Sequence, residues 1–141
     1  MAADPRAIFW PAIALALLAF VVSLRMFVVR IREMRRMRIH PQSIATSAQA
    51  AQRFIDTRAA DNFRNLFELP VLFYAALGIA FAIHAVDAVV LALAWLFVAL
   101  RCAHSAIQCS YNRVMHRFAV YVAGTVALWL LWGWLAWRLA Q

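Results

Sequence analysis

The amino-acid sequence predicts an all-α membrane protein built from four transmembrane helices. Hydrophobic residues make up 67% of the 141 residues and charged residues 14%, against about half and about a quarter in soluble domains. A soluble domain of this size has too little interior to bury so much apolar surface. The mean hydropathy of +0.76 agrees with a membrane protein. Disordered chains and soluble nucleic-acid-binding modules are therefore excluded as classes, and we expect no nucleic-acid partner.

Four apolar stretches have the length of about 20 residues that a helix needs to cross a bilayer. The predicted spans are residues 8–29, 62–84, 88–111 and 117–139, within a single transmembrane domain of residues 1–141. The first span is too long for the apolar part of a signal peptide, so we expect it to be retained. Residues 30–61 form a predicted cytoplasmic loop. Its part 39–60 is expected to be either a short amphipathic helix or a covering loop.

Charge sets the expected orientation of these spans. All fourteen basic residues are arginine; eight lie between Arg30 and Arg64, and Arg113 and Arg117 separate the last two spans. The positive-inside rule places both loops in the cytoplasm and both termini on the opposite side. The expected location is the cell inner membrane. Four tryptophans near the opposite surface fit an interfacial aromatic belt, namely Trp10, Trp132, Trp134 and Trp137.

Ionisable residues stand at the cytoplasmic ends of the spans. On a continuous second helix, one stripe would carry Asp61, Arg64, Asn65 and Glu68. One face of the third helix would carry Arg101, His104, Gln108 and Tyr111. A charged side chain within the hydrocarbon costs at least about 2.5–3.5 kcal/mol. Each of these groups therefore needs a partner.

Two explanations of the polar faces remain open. Glu68 pairs with Arg64 or Arg101 and the network fixes helix register, or the faces line a cavity that a ligand completes. Arginines outnumber carboxylates near this surface, which favours an anionic ligand. Guanidinium groups bind carboxylates through two parallel hydrogen bonds, and Glu68 would suit an ammonium group. Glutathione, with two carboxylates and one amine, has matching chemistry.

At these residues the sequence resembles the MAPEG family, the membrane-associated proteins of eicosanoid and glutathione metabolism. Arg64-Asn65-x-x-Glu68, followed by Pro70, is similar to the family's second-helix signature. Arg101-x-x-His104 is similar to the third-helix signature of the microsomal prostaglandin E synthase branch. Arg30, at the end of the first span, resembles a glutathione-contacting arginine of the family. Arg117 stands at the spacing of that branch's thiol-activating arginine.

The resemblance implies a left-handed four-helix bundle assembled as a homotrimer, with glutathione bound between neighbouring subunits. Arg117 would face the sulfur, and Arg113 is the second choice for that role. The residues expected to bind glutathione are Arg30, Arg64, Asn65, Glu68, Arg101, His104, Gln108 and Tyr111. The implied activity is that of a transferase or peroxidase, in which the thiolate attacks a lipophilic electrophile or hydroperoxide from the bilayer. Membrane lipids are the other expected partner.

Three other interpretations stay open. A non-catalytic lipid-binding or scaffold protein of the same fold is favoured by Gln108, where family members commonly carry tyrosine. A four-span exporter is disfavoured, because the arginines around Glu68 would repel a cationic substrate. Anionic-lipid binding by the arginines of 30–38 is compatible with any of these. We expect no metal site, since Cys102 and His104 are two residues apart and point to different sides of a helix.

Overall fold

The computed structural model describes residues 4–141, which are built of helices and contain no strand. The six α-helices are α1 (Phe9–Met37), α2 (Ser47–Arg53), α3 (Arg58–Asn65), α4 (Leu69–Ala82), α5 (Ala88–Cys109) and α6 (Val114–Leu139). Short 3-10 helices cover Pro5–Ile8 and Pro41–Ile44. Four helical segments are long and apolar enough to cross a membrane, namely Pro5–Met37, Arg58–Ala82, Ala88–Cys109 and Val114–Leu139. The prediction of an all-α, four-helix membrane protein is confirmed.

Local signals explain where several helices begin and end. Asp87 caps α5, since its Oδ1 accepts a hydrogen bond from the Val90 N–H at 2.9 Å. Helix α2 begins with a capping box, in which the side chains of Thr46 and Gln49 each accept a hydrogen bond from the other's backbone N–H. Helix α1 ends at Met37, because the next residue, Arg38, has a left-handed conformation that stops the helix.

The core lies where α4, α5 and α6 meet, and α1 packs against it. The buried rings of Phe73 and Phe97 stack with their centroids 4.7 Å apart. Leu128 and Leu131 of α6 and Leu15 of α1 complete this cluster. Many other large apolar side chains are exposed. That surface suits contact with lipid, in which apolar exposure has no hydrophobic cost.

The second transmembrane segment is broken, so the expectation of one continuous polar stripe from Asp61 to Glu68 is wrong. Helix α3 ends at Asn65 and α4 begins at Leu69, and Glu68 has ψ −96°, outside the helical region. Pro70 is the physical reason. It has no N–H to donate to the carbonyl of Leu66, and its ring would clash with that carbonyl in a continuous helix.

The segment between α1 and α3 is tied to α1. Glu33 accepts hydrogen bonds from the backbone N–H groups of Ile55 and Asp56, at 3.0 and 3.1 Å. Arg58 binds the Asp56 carboxylate through Nε and Nη2, both at 2.9 Å. Within residues 39–60 the structure has the 3-10 helix Pro41–Ile44, the short helix α2 and the start of α3. The segment therefore contains a short helix, and its amphipathic contact with the membrane surface stays a prediction.

The same region also closes the end of α5. Arg58 donates to the carbonyl of Ser110, and Arg25 of α1 donates to the carbonyl of Cys109. These carbonyls lack partners within their own helix. Two arginines from other helices therefore satisfy the backbone where the third span ends.

The Asp56–Arg58 pair should make stability depend on pH in acid. Hydrogen bonding to Arg58 lowers the pKa of Asp56 below its ordinary value. A carboxylate whose pKa is depressed in the folded state stabilises the fold above its unfolded pKa, near 4, and loses that contribution as the pH falls through the folded value. Asp56→Asn should therefore lower the unfolding temperature in detergent at pH 7, and the difference from wild type should shrink below about pH 4. A difference that is constant from pH 3 to 8 would contradict this.

Candidate functional site

Arg101 is the most deeply buried charged group described. Arg101 lies in α5 and is only 1% exposed. Its guanidinium carbon lies 5.2 Å from the ring centroid of Phe97 and 4.8 Å from that of Tyr121, so two aromatic faces partly offset its desolvation. Nη2 donates to the Tyr121 carbonyl at 3.5 Å. Nε and Nη1 have no hydrogen-bond partner within residues 4–141, and unsatisfied buried donors are costly.

A cavity of about 210 Å³ lies beside α5 and α6, and we call it the Arg117 cavity. It is lined by Asn65, His104, Val114, Arg117, Phe118 and Tyr121. His104 is buried, and its ring centroid lies 5.7 Å from that of Tyr121. Arg117 is half-buried, and its Nη1 donates to Oδ1 of Asn112 at 2.8 Å. The cavity thus combines polar groups suited to an anion with apolar walls.

A second cavity, of about 220 Å³, lies between α1, α2 and α3, and we call it the Arg30 cavity. Arg30 lines it, with its guanidinium carbon 5.8 Å from the centroid of Phe54. Arg30 Nε is buried and has no hydrogen-bond partner in the described part of the chain. Arg64 also lines it, and its Nη1 lies 3.8 Å from Oδ1 of Asp61 in an exposed pair. The two cavities share no lining residue.

The remaining predicted site residues are separated. Gln108 is buried, and its Oε1 accepts a hydrogen bond from Nδ2 of Asn65 at 3.2 Å. Glu68 is exposed and forms no ion pair among residues 4–141. The sequence predicted that Tyr111 shares a helical face with Arg101. It does not, because α5 ends at Cys109 and Tyr111 lies beyond the helix. Its hydroxyl lies 3.2 Å from Nδ1 of His116.

Three residues outside the predicted set help to build the site. Tyr121 and Gly124 follow Arg117 by four and seven residues, a spacing that puts all three on one face of α6 and could have indicated them. A Cβ at Gly124 would lie 3.0 Å from Nη2 of Arg101, so the missing side chain makes room for the guanidinium. Asn112, with φ 49°, holds Arg117 from the loop before α6. No sequence pattern indicated that contact.

A buried polar pair also joins α3 to α5. Ser105 Oγ donates to Oδ1 of Asn62 at 3.3 Å, and the amide of Asn62 donates to Sγ of Cys109 at 3.5 Å. Both Asn62 and Ser105 are buried. The pair holds Asn65, one turn of α3 further on, against α5.

A model of the MAPEG family matches residues 8–137 of the chain. The chain belongs to the MAPEG family. Comparisons with curated proteins and with solved structures give no match. Family membership associates this protein with glutathione use or lipid metabolism, and with a small-molecule substrate. Together with the four apolar helices it makes the chain a multi-pass integral membrane protein in contact with lipid.

The described residues of this MAPEG protein hold no group of three or more His, Cys, Asp or Glu side chains that could bind a metal ion. The polar chemistry that they bring together is that of arginine, histidine and amide groups. Such groups recognise carboxylates.

Gly124→Ala tests whether the space over this glycine seats Arg101. Arg101 is enclosed by Phe97 and Tyr121, so its guanidinium has little room to move away from an added methyl group. Overpacking costs about 1–3 kcal/mol and the gain in helix propensity is about 1 kcal/mol, so we expect a net destabilisation of up to about 2 kcal/mol. Gly133→Ala is the matched control, because nothing lies within 4 Å of its Cβ. Thermal unfolding in detergent would contradict this idea if both variants were equally stable.

Proposed function

We propose that this MAPEG protein is a membrane-embedded glutathione-dependent transferase or peroxidase. The observation that carries the proposal is the buried Arg101 guanidinium, with two donors that have no partner in residues 4–141. An arginine keeps its charge, so a ligand carboxylate would compensate this burial. Arg101 lines neither cavity itself, and Tyr121, against which its guanidinium lies, borders the Arg117 cavity from which such a ligand would have to reach it. Arg30 Nε is likewise buried without a partner in the described chain. It is therefore a second buried donor that a ligand carboxylate would satisfy.

The residues fit glutathione by charge and by hydrogen-bonding type. Its two carboxylates suit arginine, and its ammonium group suits the exposed carboxylate of Glu68. The proposed binding residues are Arg30, Arg64, Asn65, Glu68, Arg101 and His104. Gln108 would act by orienting Asn65, to which it is hydrogen-bonded. The hydroxyl of Tyr111 is hydrogen-bonded to His116. Among the residues predicted to bind glutathione, direct contact with the ligand is therefore least supported for Tyr111.

Arg117 is the proposed catalytic residue. Bound glutathione would supply a thiol, whose ordinary pKa is near 8.5, so that little thiolate exists at neutral pH. The Arg117 guanidinium, restrained by Asn112, places a fixed positive charge in the cavity. A lowering of the thiol pKa by one unit corresponds to about 1.36 kcal/mol of preference for the thiolate. Val114 and Phe118 give the same cavity apolar walls, which suit a lipophilic co-substrate. His104 would position the ligand.

We further propose a homotrimer whose sites lie between subunits. The Arg30 and Arg117 cavities share no lining residue within one chain, and one tripeptide would need both if all the proposed arginines bind it. A neighbouring copy could supply the missing half. In this proposal the arginine-rich loops face the cytoplasm at the inner membrane, and both termini face the other side.

The role of Arg117 can be tested by the ultraviolet absorbance of bound thiolate, titrated against pH. Arg117→Gln should raise the thiol pKa toward its free value and remove most of the thiolate signal at pH 7. Arg113→Gln is the control of equal charge, because Arg113 is exposed and lines neither cavity. An unchanged signal in Arg117→Gln would remove Arg117 from the mechanism, and loss in Arg113→Gln alone would assign the role to that residue.

Mixed oligomers test the site between subunits. Arg30→Gln and Arg117→Gln should each abolish glutathione-dependent turnover when expressed alone. If each site takes Arg30 from one subunit and Arg117 from its neighbour, coexpression in equal amounts leaves about a quarter of the sites intact. We therefore expect about a quarter of wild-type turnover. No recovery, in oligomers shown to be mixed by two affinity tags, would place both arginines in one chain and leave the proposed activity untouched.

The second candidate is a non-catalytic lipid-binding or scaffold protein of the same fold. It is favoured by Gln108, which is buried and hydrogen-bonded to Asn65, where family members commonly present a tyrosine hydroxyl. Turnover of glutathione with a chlorodinitrobenzene separates the two functions. A scaffold protein would bind without turnover.

A further inference from the structure

A smaller cleft at the end of α1 adjoins the Arg30 cavity, with which it shares Val29 and Asp56, but it contains none of the arginines proposed for glutathione. Its volume is about 160 Å³, and it is lined by Val29, Arg32, Glu33, Arg36 and Asp56. Arg32 and Arg36 are four residues apart, so they project from the same face of α1. Both are exposed, and neither forms an ion pair within residues 4–141.

The two carboxylates of the cleft are already engaged. Both oxygens of Glu33 accept backbone N–H groups, those of Ile55 and Asp56. The Asp56 carboxylate is bound by Nε and Nη2 of Arg58. These contacts satisfy both carboxylates within the chain, and Arg58 balances the charge of Asp56. Two guanidinium groups, Arg32 and Arg36, then stand against the one remaining negative charge of Glu33 and have no ion-pair partner within residues 4–141. The volume is well above the roughly 10–15 Å³ that one water requires, so a polyatomic anion has room.

The position of the cleft along α1 indicates which anion it meets. Helix α1 has 29 residues and is therefore about 43 Å long, whereas the hydrocarbon core of a bilayer is about 30 Å thick. The apolar stretch of α1, interrupted by Ser23 and Arg25, ends at Val29. Arg32 and Arg36 stand about one to two turns beyond it, where lipid headgroups would lie. The large apolar side chains of Phe27, Val28 and Ile31 are exposed just below, where acyl chains would lie.

We propose that this cleft binds the phosphate of an anionic phospholipid in the leaflet on the arginine-rich side. Arg32 and Arg36 hold the headgroup through charge-assisted hydrogen bonds, and the exposed apolar residues below contact its acyl chains. Arg35 and Arg38, also exposed, add attraction for a negatively charged membrane surface. This inference does not depend on the proposed glutathione chemistry.

Native mass spectrometry of the full-length protein in detergent tests the proposal. The probes are phosphatidylglycerol and phosphatidylcholine with identical acyl chains. Wild type should retain phosphatidylglycerol in preference to phosphatidylcholine. Arg32→Gln combined with Arg36→Gln should weaken phosphatidylglycerol binding by about 30-fold, since one basic residue near an anionic surface contributes about a factor of five. Arg6→Gln combined with Arg53→Gln removes the same charge from two exposed arginines outside the cleft and should leave the preference intact.

Equal losses in both double variants would show a general charge effect and overturn the site. Binding of inorganic phosphate at millimolar concentration, with displacement of phosphatidylglycerol, would assign the cleft to a soluble anion and also overturn the proposal. Circular dichroism and elution volume establish that each variant is folded. If the double glutamine variant does not fold, Arg32→Lys and Arg36→Lys replace it. They keep the charge and lose the two-pronged geometry, so a preserved affinity in both would contradict the proposed phosphate contacts.

Discussion

The burial of a permanent positive charge within a membrane helix is the constraint on which the site depends. Arg101 cannot be neutralised by losing a proton, so its surroundings must compensate the charge where it lies. The faces of Phe97 and Tyr121 do so in part, and the glycine at position 124 allows the guanidinium to approach α6. The Nε and Nη1 donors that these groups leave without a partner in residues 4–141 are the basis for proposing an anionic ligand. Arg101 itself lines neither cavity, but its guanidinium lies against the ring of Tyr121, which lines the Arg117 cavity.

Backbone carbonyl groups at the end of a membrane helix also need partners, because few water molecules are there to donate hydrogen bonds to them. Arg25 and Arg58 donate to the last carbonyls of α5 from two other helices. Arg58 also binds Asp56, and Glu33 holds the backbone beside it. Arginines at this surface thus have distinct structural uses, although the sequence presents them as one run of charge. Arginine thus terminates a helix in this structure and is also the residue on which the expected topology and the proposed ligand binding rest.

Hydropathy and charge alone were enough to predict the four membrane helices, because a bilayer imposes their length and composition. The polar residues were harder to place. Pro70 was visible in the sequence, yet the break that it causes between Asn65 and Leu69 separates residues that a continuous helix would align. The bond between Gln108 and Asn65 joins positions 43 residues apart. Such pairs depend on how helices pack, which periodicity within one helix does not report.

The break in the second segment has a consequence for the bilayer that would surround it. Helix α4 has 14 residues, which span about 21 Å, well short of a hydrocarbon core of about 30 Å. The span is long enough to cross only when α3 is counted with α4. The polar helix α3 would then lie at the depth of acyl chains, and the membrane could meet this mismatch by thinning locally. Thinning would bring headgroups and water to the depth of α3. Lipophilic molecules dissolved in the hydrocarbon core would still contact α6. A water-soluble tripeptide and an oil-soluble acceptor could then meet at one depth without either leaving its own solvent.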